Sequence, residues 1–510
     1  SHLPDGGETT DEPDSGAADA AIDAAPTRIC GLVPVAGCVA SPVNAVFVSG
    51  GVAHSGDGSQ TAPVKTIAEG IAMARNDNLN RIVVCNGVYA EAVLVEVADS
   101  GRSLLGGYNC DSWIYNPEGE TLIAPQVAGY ALEISETTSV VTIGDLTFEA
   151  MAATDAGASS IAAFVHGPTH VKFNHVRLIA HEAMPAAAAS PVHEFVAGVT
   201  DEWPAQVSLI GSDGLGHTAA SSPTFVGGAR VSAVCPGGAI SRSGKGGGQP
   251  DVAPGEAGLL PVGKGGSGGA IATGCDTCDS GICGCVASLT QAGQRGEPGA
   301  DGAGAAVYGA LEAVGWRPAA GQPGEIGMPG GGGGGGDGAW QACGVGGDQG
   351  WYGGGSGGAG GCGGNAGSSG NGGGASIALL ALNATLNLTN CELHTADAGA
   401  GSSGNSGQEG QLGGAGGAGI SSSSFSVPCG GGAGGSGGHG GHGGGGAGGI
   451  SVGLVWTGAV EPTVDQSTQF TLGQPGAGGA NVSTDAGSSD AGSSGGISGV
   501  AQDILQVPAL

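Results

Sequence analysis

Short apolar runs closed by Gly, Asn or Asp recur along the first third of the chain. Val46-Phe47-Val48, Arg81-Ile82-Val83-Val84-Cys85, Val93-Leu94-Val95, Leu104-Leu105, Leu132–Ile134, Val141–Ile143, Leu146–Phe148 and Val171–Leu178 predict short strands, with Val46, Val83, Leu94, Ile143, Phe148 and Phe173 among the buried positions. One stretch has a different period. Ile67, Ile71 and Ala74 fall on one face of a helix over 66–75.

The pattern also repeats at long range. Ser160-Ile161-Ala162-Ala163-Phe164 leads to His175-Val176-Arg177-Leu178. At nearly the same spacing, Ser376-Ile377-Ala378-Leu379-Leu380 leads to Asn390-Cys391-Glu392-Leu393, and Ser451-Val452-Gly453-Leu454-Val455 leads to Gln469-Phe470-Thr471-Leu472. A unit of this size cannot bury its apolar face alone, so the three units are expected to stack as coils of a solenoid. Glycine fills the chain between them, with 77 of the 113 glycines lying in 231–450. Residues 430–449 read as Gly-Gly-X with Ala433, Ser436, His439 and His442 at X. A period of three matches polyproline II, whose two bare faces per turn let neighbouring strands bond backbone to backbone. A disordered linker is the alternative, and glycine's ordering entropy favours it. Collagen is another, because Gly296-Glu297-Pro298 and Gly321-Gln322-Pro323 fit Gly-X-Y, but such runs are too short for a triple helix.

Residues 45–95, with Phe-Val-Ser-Gly, Gly-Asp-Gly-Ser, Pro-Val-Lys-Thr-Ile-Ala-Glu-Gly-Ile and Ile-Val-Val-Cys-Asn-Gly-Val-Tyr, resemble the start of a right-handed parallel β-helix of the pectate-lyase-like superfamily. In that superfamily the short helix caps the open end. Together with the later Gly-Gly-X tracts, the chain resembles the glycine-rich PGRS-type secreted proteins of myxobacteria. The resemblance implies an all-β fold, a right-handed parallel β-helix (solenoid) with an inserted polyglycine layer, and a place outside the cell; it implies no activity. The expected organisation is a disordered acidic tether over 1–28, a capped β-helix over 29–235, and a glycine-rich insertion over 236–375. One coil follows over 376–395, a polyproline II tract over 396–449, a further coil over 450–475 and a flexible acidic segment over 476–510.

Charge narrows the partners. The net charge is -31, and no Lys or Arg follows Arg317, so neither nucleic acid nor an anionic membrane surface is an expected partner. No apolar run is long enough to span a bilayer. The chain starts at Ser1, which fits removal of a signal peptide and equally the scar of a tag. Thirteen cysteines in such a chain predict disulfides and a secreted or cell-surface location. Cys30 with Cys38 and Cys85 with Cys110 are candidate pairs. Cys275, Cys278, Cys283 and Cys285 suit two local disulfides better than a zinc site. The pairing of Cys235, Cys343, Cys362, Cys391 and Cys429 is not legible.

Catalytic signals are weak. The Gly-x-Ser-x-Gly matches at 265–269, 354–358 and 434–438 lack the strand before and helix after that a nucleophile elbow needs. Asp145, Glu149 and Asp213 could serve as carboxylates for polysaccharide cleavage, but acids in exposed turns are far commoner. No catalytic residue, cofactor or metal site is assigned. The expected role is structural or adhesive, with the chain itself and extracellular polysaccharide as expected partners. A polysaccharide-active enzyme and an ice- or surface-binding protein are the alternatives.

Overall fold

Three parallel sheets form the body, and the chain visits them in a fixed rotation. The structure is a computed structural model describing residues 28–199, 202–217, 226–248, 255–259, 292–341, 350–419, 430–482 and 495–508. Sheet one stacks Ala45–Val48, Arg81–Cys85, Ser103–Tyr108, Val141–Gly144, His170–Asn174, Thr385–Thr389 and Thr463–Val464. Sheet two stacks Gly87–Tyr89, Thr121–Ile123, Thr147–Glu149, Arg177–Ile179, Glu392–His394 and Gln469–Thr471. Sheet three stacks Val93–Val95, Leu132–Ser135, Ser160–His166, Ser376–Leu382, Ser451–Thr457 and Ala501–Gln506. From Arg81 onward each strand in sheet one is followed by one in sheet two and one in sheet three. All pairings within these sheets are parallel.

The long-range repeat is the pairing register itself. Ser160 pairs with Ser376 and Ser376 with Ser451, while Leu178 pairs with Leu393 and Leu393 with Phe470. Like residues therefore stack on like, and Ile143, Phe148, Phe173, Leu388 and Leu393 run down a single buried core. Each such side chain contributes roughly 1.5–3 kcal/mol. The turn from sheet one to sheet two is made by one left-handed residue, Asp145, His175 or Asn390 (φ 51 to 55°). Asn and Asp tolerate that conformation well.

The helix Ile67–Asn76 begins at Thr66, whose hydroxyl accepts from Glu69 N while the Glu69 carboxylate accepts from Thr66 N. This capping box fixes the helix start. Its buried Ile67, Ile71 and Ala74 pack on the first strands and close that end of the core. One expected core residue is placed wrongly by the sequence reading. Leu94 is 48% exposed, because in Val93–Val95 the flanking valines point inward and alternation turns Leu94 out.

All long insertions leave at one corner, between sheets two and three. There the strands run on as extended glycine-rich chain. Along 431–449, Gly437 N donates to Gln411 O and Gly440 N to Gln408 O (2.9 Å each). The next glycine of each triplet turns elsewhere: Gly438 N donates to Met328 O and Gly441 N to Glu325 O (2.8 Å each). Carbonyls of the same strand accept from two more neighbours, as His439 O does from Gly299 N (2.8 Å) and Gly441 O from Gly367 N (2.8 Å). Each row recurs every third residue and joins different strands, the repeat of polyproline II. Strand 431–449 thus lies at the centre of a bundle made by 293–305, 319–334, 355–373 and 399–417.

Composition follows the number of neighbours. The Gly-X-Y runs belong to strands 293–305 and 321–330, which need one bare position per turn because they have neighbours on fewer sides. Gly332 and Gly335 donate to Leu259 and Glu256, where segment 255–259 covers them. Pro323 and Pro329 stand in the same row beyond that cover, where no acceptor needs their N–H.

Two expected segments need correction. Within 476–510, the described residues 476–479 and 496–499 bond into the glycine bundle and Ala501–Gln506 adds the last strand of sheet three, where a flexible segment was expected. The first block of strands in the three sheets ends at Ile179 rather than at 235, and residues 183–199 and 202–214 run along the bundle instead.

Candidate functional site

Two regions qualify: the side-chain-bearing face of the glycine bundle, and a cleft on the corner between sheets one and two. On the bundle, Gly445 and Gly448 occupy the X position where strands 476–479 and 496–499 lie across them. Where those strands are absent, X is Ala433, Ser436, His439 or His442. His439 and His442 are half-buried; His442 N donates to Asp301 Oδ1 (2.7 Å) and its Nδ1 lies 3.4 Å from Gly407 N. Among the described residues no cluster of His, Cys, Asp and Glu is arranged to hold a metal ion.

A row of amides fastens a second segment to the bundle. Gln408 accepts from Phe195 N and donates to Phe195 O (2.8 Å each), Gln411 donates to Pro204 O (2.7 Å), and Asn405 donates to Ser190 O (2.7 Å). The disulfide Cys235–Cys362 pins the hairpin formed by Ser232–Val234 and Ile240–Arg242 to strand 355–373.

The cleft encloses about 200 Å³ and is lined by Tyr115, Glu118, Glu120, Asp145, His175, Arg177 and Glu392, among others. Asp145 is its deepest charge, with a side chain 7% exposed. Its Oδ1 accepts from the Tyr115 hydroxyl (2.6 Å) and lies 2.8 Å from His175 Nδ1. Burial raises the Asp145 carboxyl above its ordinary value, against the lowering pull of Tyr115 and His175. Across the mouth, Arg177 Nε lies 3.3 Å from Glu392.

Of the residues singled out in the sequence, Cys30–Cys38 and Cys85–Cys110 are bonded, and Cys362 joins Cys235. Cys275, Cys278, Cys283 and Cys285 lie outside the described residues, as do Cys343 and Cys429. Cys391 is a buried free thiol, pushed up to about 11 by desolvation. Ser356, in one Gly-x-Ser-x-Gly match, is buried within the bundle, where its Oγ accepts from Ser212 N. Glu149 pairs with His181 (2.7 Å), and Asp213 accepts from Ala418 N, both away from the cleft. Sequence reasoning missed Tyr115 and His175. His175 holds the same corner position as Asp145 one coil on, a signal available only once the register is known.

No helix among the described residues is long and apolar enough to cross a membrane. No protein-family model matches the chain. No curated protein and no solved structure matches it either.

Proposed function

We propose that the chain is a right-handed parallel β-helix carrying a polyglycine bundle, and that it acts as a non-catalytic structural or adhesive protein outside the cell. The rotation among three parallel sheets supports the helical reading, and parallel crossovers are overwhelmingly right-handed. The three disulfides among the described residues support an oxidising compartment.

The observation that carries the functional reading is the bundle. Strands 355–373, 399–417 and 431–449 adjoin strands of the sheets in sequence, bond backbone to backbone with 293–305 and 319–334, and form a wall beside the sheets. Such a wall suits surface contact and assembly. Its outer strand 293–305 leaves Arg295 N and Asp301 N without a backbone partner among the described residues. A second molecule can satisfy such edge groups, the same hazard that open sheet edges carry.

Repulsion from the net charge of -31 opposes association and is screened within about 10 Å at 0.1 M salt. Self-association therefore strengthens with NaCl or Ca²⁺. Sedimentation velocity across a salt series measures this, and a strict monomer at high protein and high salt overturns the assembly reading.

A further inference from the structure

Two segments lie across the far end of strand 431–449, and the backbone groups that hold them recur beyond the point where they stop. Segment 471–479 sits between two walls. Ala398 N and Gly401 N donate to Gln474 O and Ala477 O, while Gly476 N and Gly479 N donate to Gly449 O and Gly446 O (2.8 to 2.9 Å). Segment 496–499 lies beside it, with Gly448 N donating to Ile497 O (2.9 Å). At the same period of three, the first wall runs on as Gly404, Gly407, Gly410 and Gly413, and the second as Gly443, Gly440, Gly437 and Gly434. Among the described residues no backbone group pairs with the N–H groups of that first row or the carbonyls of the second.

What changes at that point is X. Under the two segments X is glycine, because a methyl at Gly448 would meet Gly476 O, and one at Gly445 would meet Gly479 O and Gly496 N. All three lie inside the 3.0 Å that real Cβ atoms keep. Beyond them X is His442, His439, Ser436 and Ala433, which put a Cβ or more at the equivalent place in each triplet. Side chains also take over bonding where the segments stop. His442 N donates to Asp301 Oδ1 (2.7 Å), and Gly407 N donates to His442 Nδ1 (3.4 Å). A surface ready to pair through its backbone is thus obstructed by its side chains, as open sheet edges are protected by charges and bulges.

We infer that Ala433, Ser436, His439 and His442 are stops, which keep a glycine strand of a second copy of this chain from adding along 404–413 and 434–443. They decide where assembly ends: the wall is closed on this face and open along strand 293–305. The inference builds on the assembly reading, but half of its test is internal to one molecule and stands without it.

Removing the stops and adding one test it from both sides. With Ala433, Ser436, His439 and His442 all replaced by Gly, the full chain is expected to self-associate at a concentration lower by about tenfold or more, as a few added backbone hydrogen bonds would give. Sedimentation velocity at fixed salt reads this, and the melting transition checks that the variant is folded. Gly448→Ala places a stop beneath 476–479. Amide hydrogen exchange at Gly401, Gly476 and Gly479 is expected to speed up by about tenfold or more, the effect of overpacking one position. Gly296 and Gly299, which bond to Ser436 O and His439 O, are expected to keep their protection.

A folded four-glycine variant that associates no more than the unaltered chain overturns the inference. Unchanged exchange at 476–479 in Gly448→Ala also overturns it, and decides the matter should the four-glycine variant not fold. If that variant associates where the unaltered chain stays monomeric at every salt, the assembly reading fails and the stops stand.

Discussion

At the last corner of the coils, Asp465 gathers four donors. Asn390 N (3.1 Å), Thr468 N (3.0 Å) and Thr468 Oγ1 (2.8 Å) reach Oδ1, and Ser467 Oγ (2.5 Å) reaches Oδ2. These bonds, the Ser467 hydroxyl first, pull its pKa down from 3.8 to about 2. A carboxyl lowered on folding stabilises above its unfolded value and loses that contribution as pH falls through the folded one. The window for Asp465 therefore runs from about 4 down to about 2. Carboxyl NMR titration is expected to show a midpoint near 2, and Asp465→Asn to remove this part of the acid sensitivity; an ordinary midpoint would mean the corner is open. Asp145 runs the other way. Its raised pKa means that its stabilising contribution, as the neutral acid, is complete below the ordinary value and lost as pH rises through the folded one. At residue scale the sequence was a partial guide. Alternation located Val46, Phe148 and Phe173 in the core but could not tell which face of Val93–Val95 points in, because all three residues are apolar.

Among elements, the glycine strands make the sharpest distinction. A methyl at Gly440 would meet Asn365 O, and one at Gly437 would meet Cys362 O, both far inside the 3.0 Å that real Cβ atoms keep. Gly440→Ala is therefore expected to destabilise by at least about 1–3 kcal/mol, the usual cost of overpacking. His439→Ala, one residue away at an X position, should change stability by no more than about 0.5 kcal/mol, as surface substitutions usually do. Urea denaturation of both variants checks this, and equal effects would deny the bundle its close backbone packing. The period of three was readable in the sequence; the partners were not. A Gly-Gly-X strand slid by one triplet offers its neighbours the same bare surface. Register must come from the exceptions, and Asn405, Gln408, Gln411 and Cys362 supply it through their contacts with Ser190, Phe195, Pro204 and Cys235.

For the whole molecule, coils and bundle share strands, so loss of one should loosen the other. Among the described residues, Cys235–Cys362 closes the longest of three disulfide loops, with a sequence separation of 127. Replacing both cysteines by Ser is expected to cost about 2–5 kcal/mol and to lower the melting temperature. Calorimetry reads it, and an unchanged transition would show that the hairpin at 232–242 is held without the bond. The strand-rich, parallel-sheet architecture was legible because strands that pair repeat their residues in register, as Ser160, Ser376 and Ser451 do. The ending at 476–510 was not. Its acidic, Ser-rich composition hides a strand whose support comes from Ser451–Thr457, its partner in sheet three.

The placement of strand 431–449 has a consequence for the order of events during synthesis. The axis of the bundle is the last of its five long strands to be made, for 293–305, 319–334, 355–373 and 399–417 all precede it. Until it emerges, these four surround an axis not yet occupied, and many of their carbonyls remain hydrated. Contacts of such sequence separation form slowly, after the cost of closing long loops. The side wall thus completes late, while the early coils can already be folded. Delayed closure leaves the four earlier glycine-rich strands without their central partner for most of the synthesis, so the bundle sets only when residues 431–449 arrive.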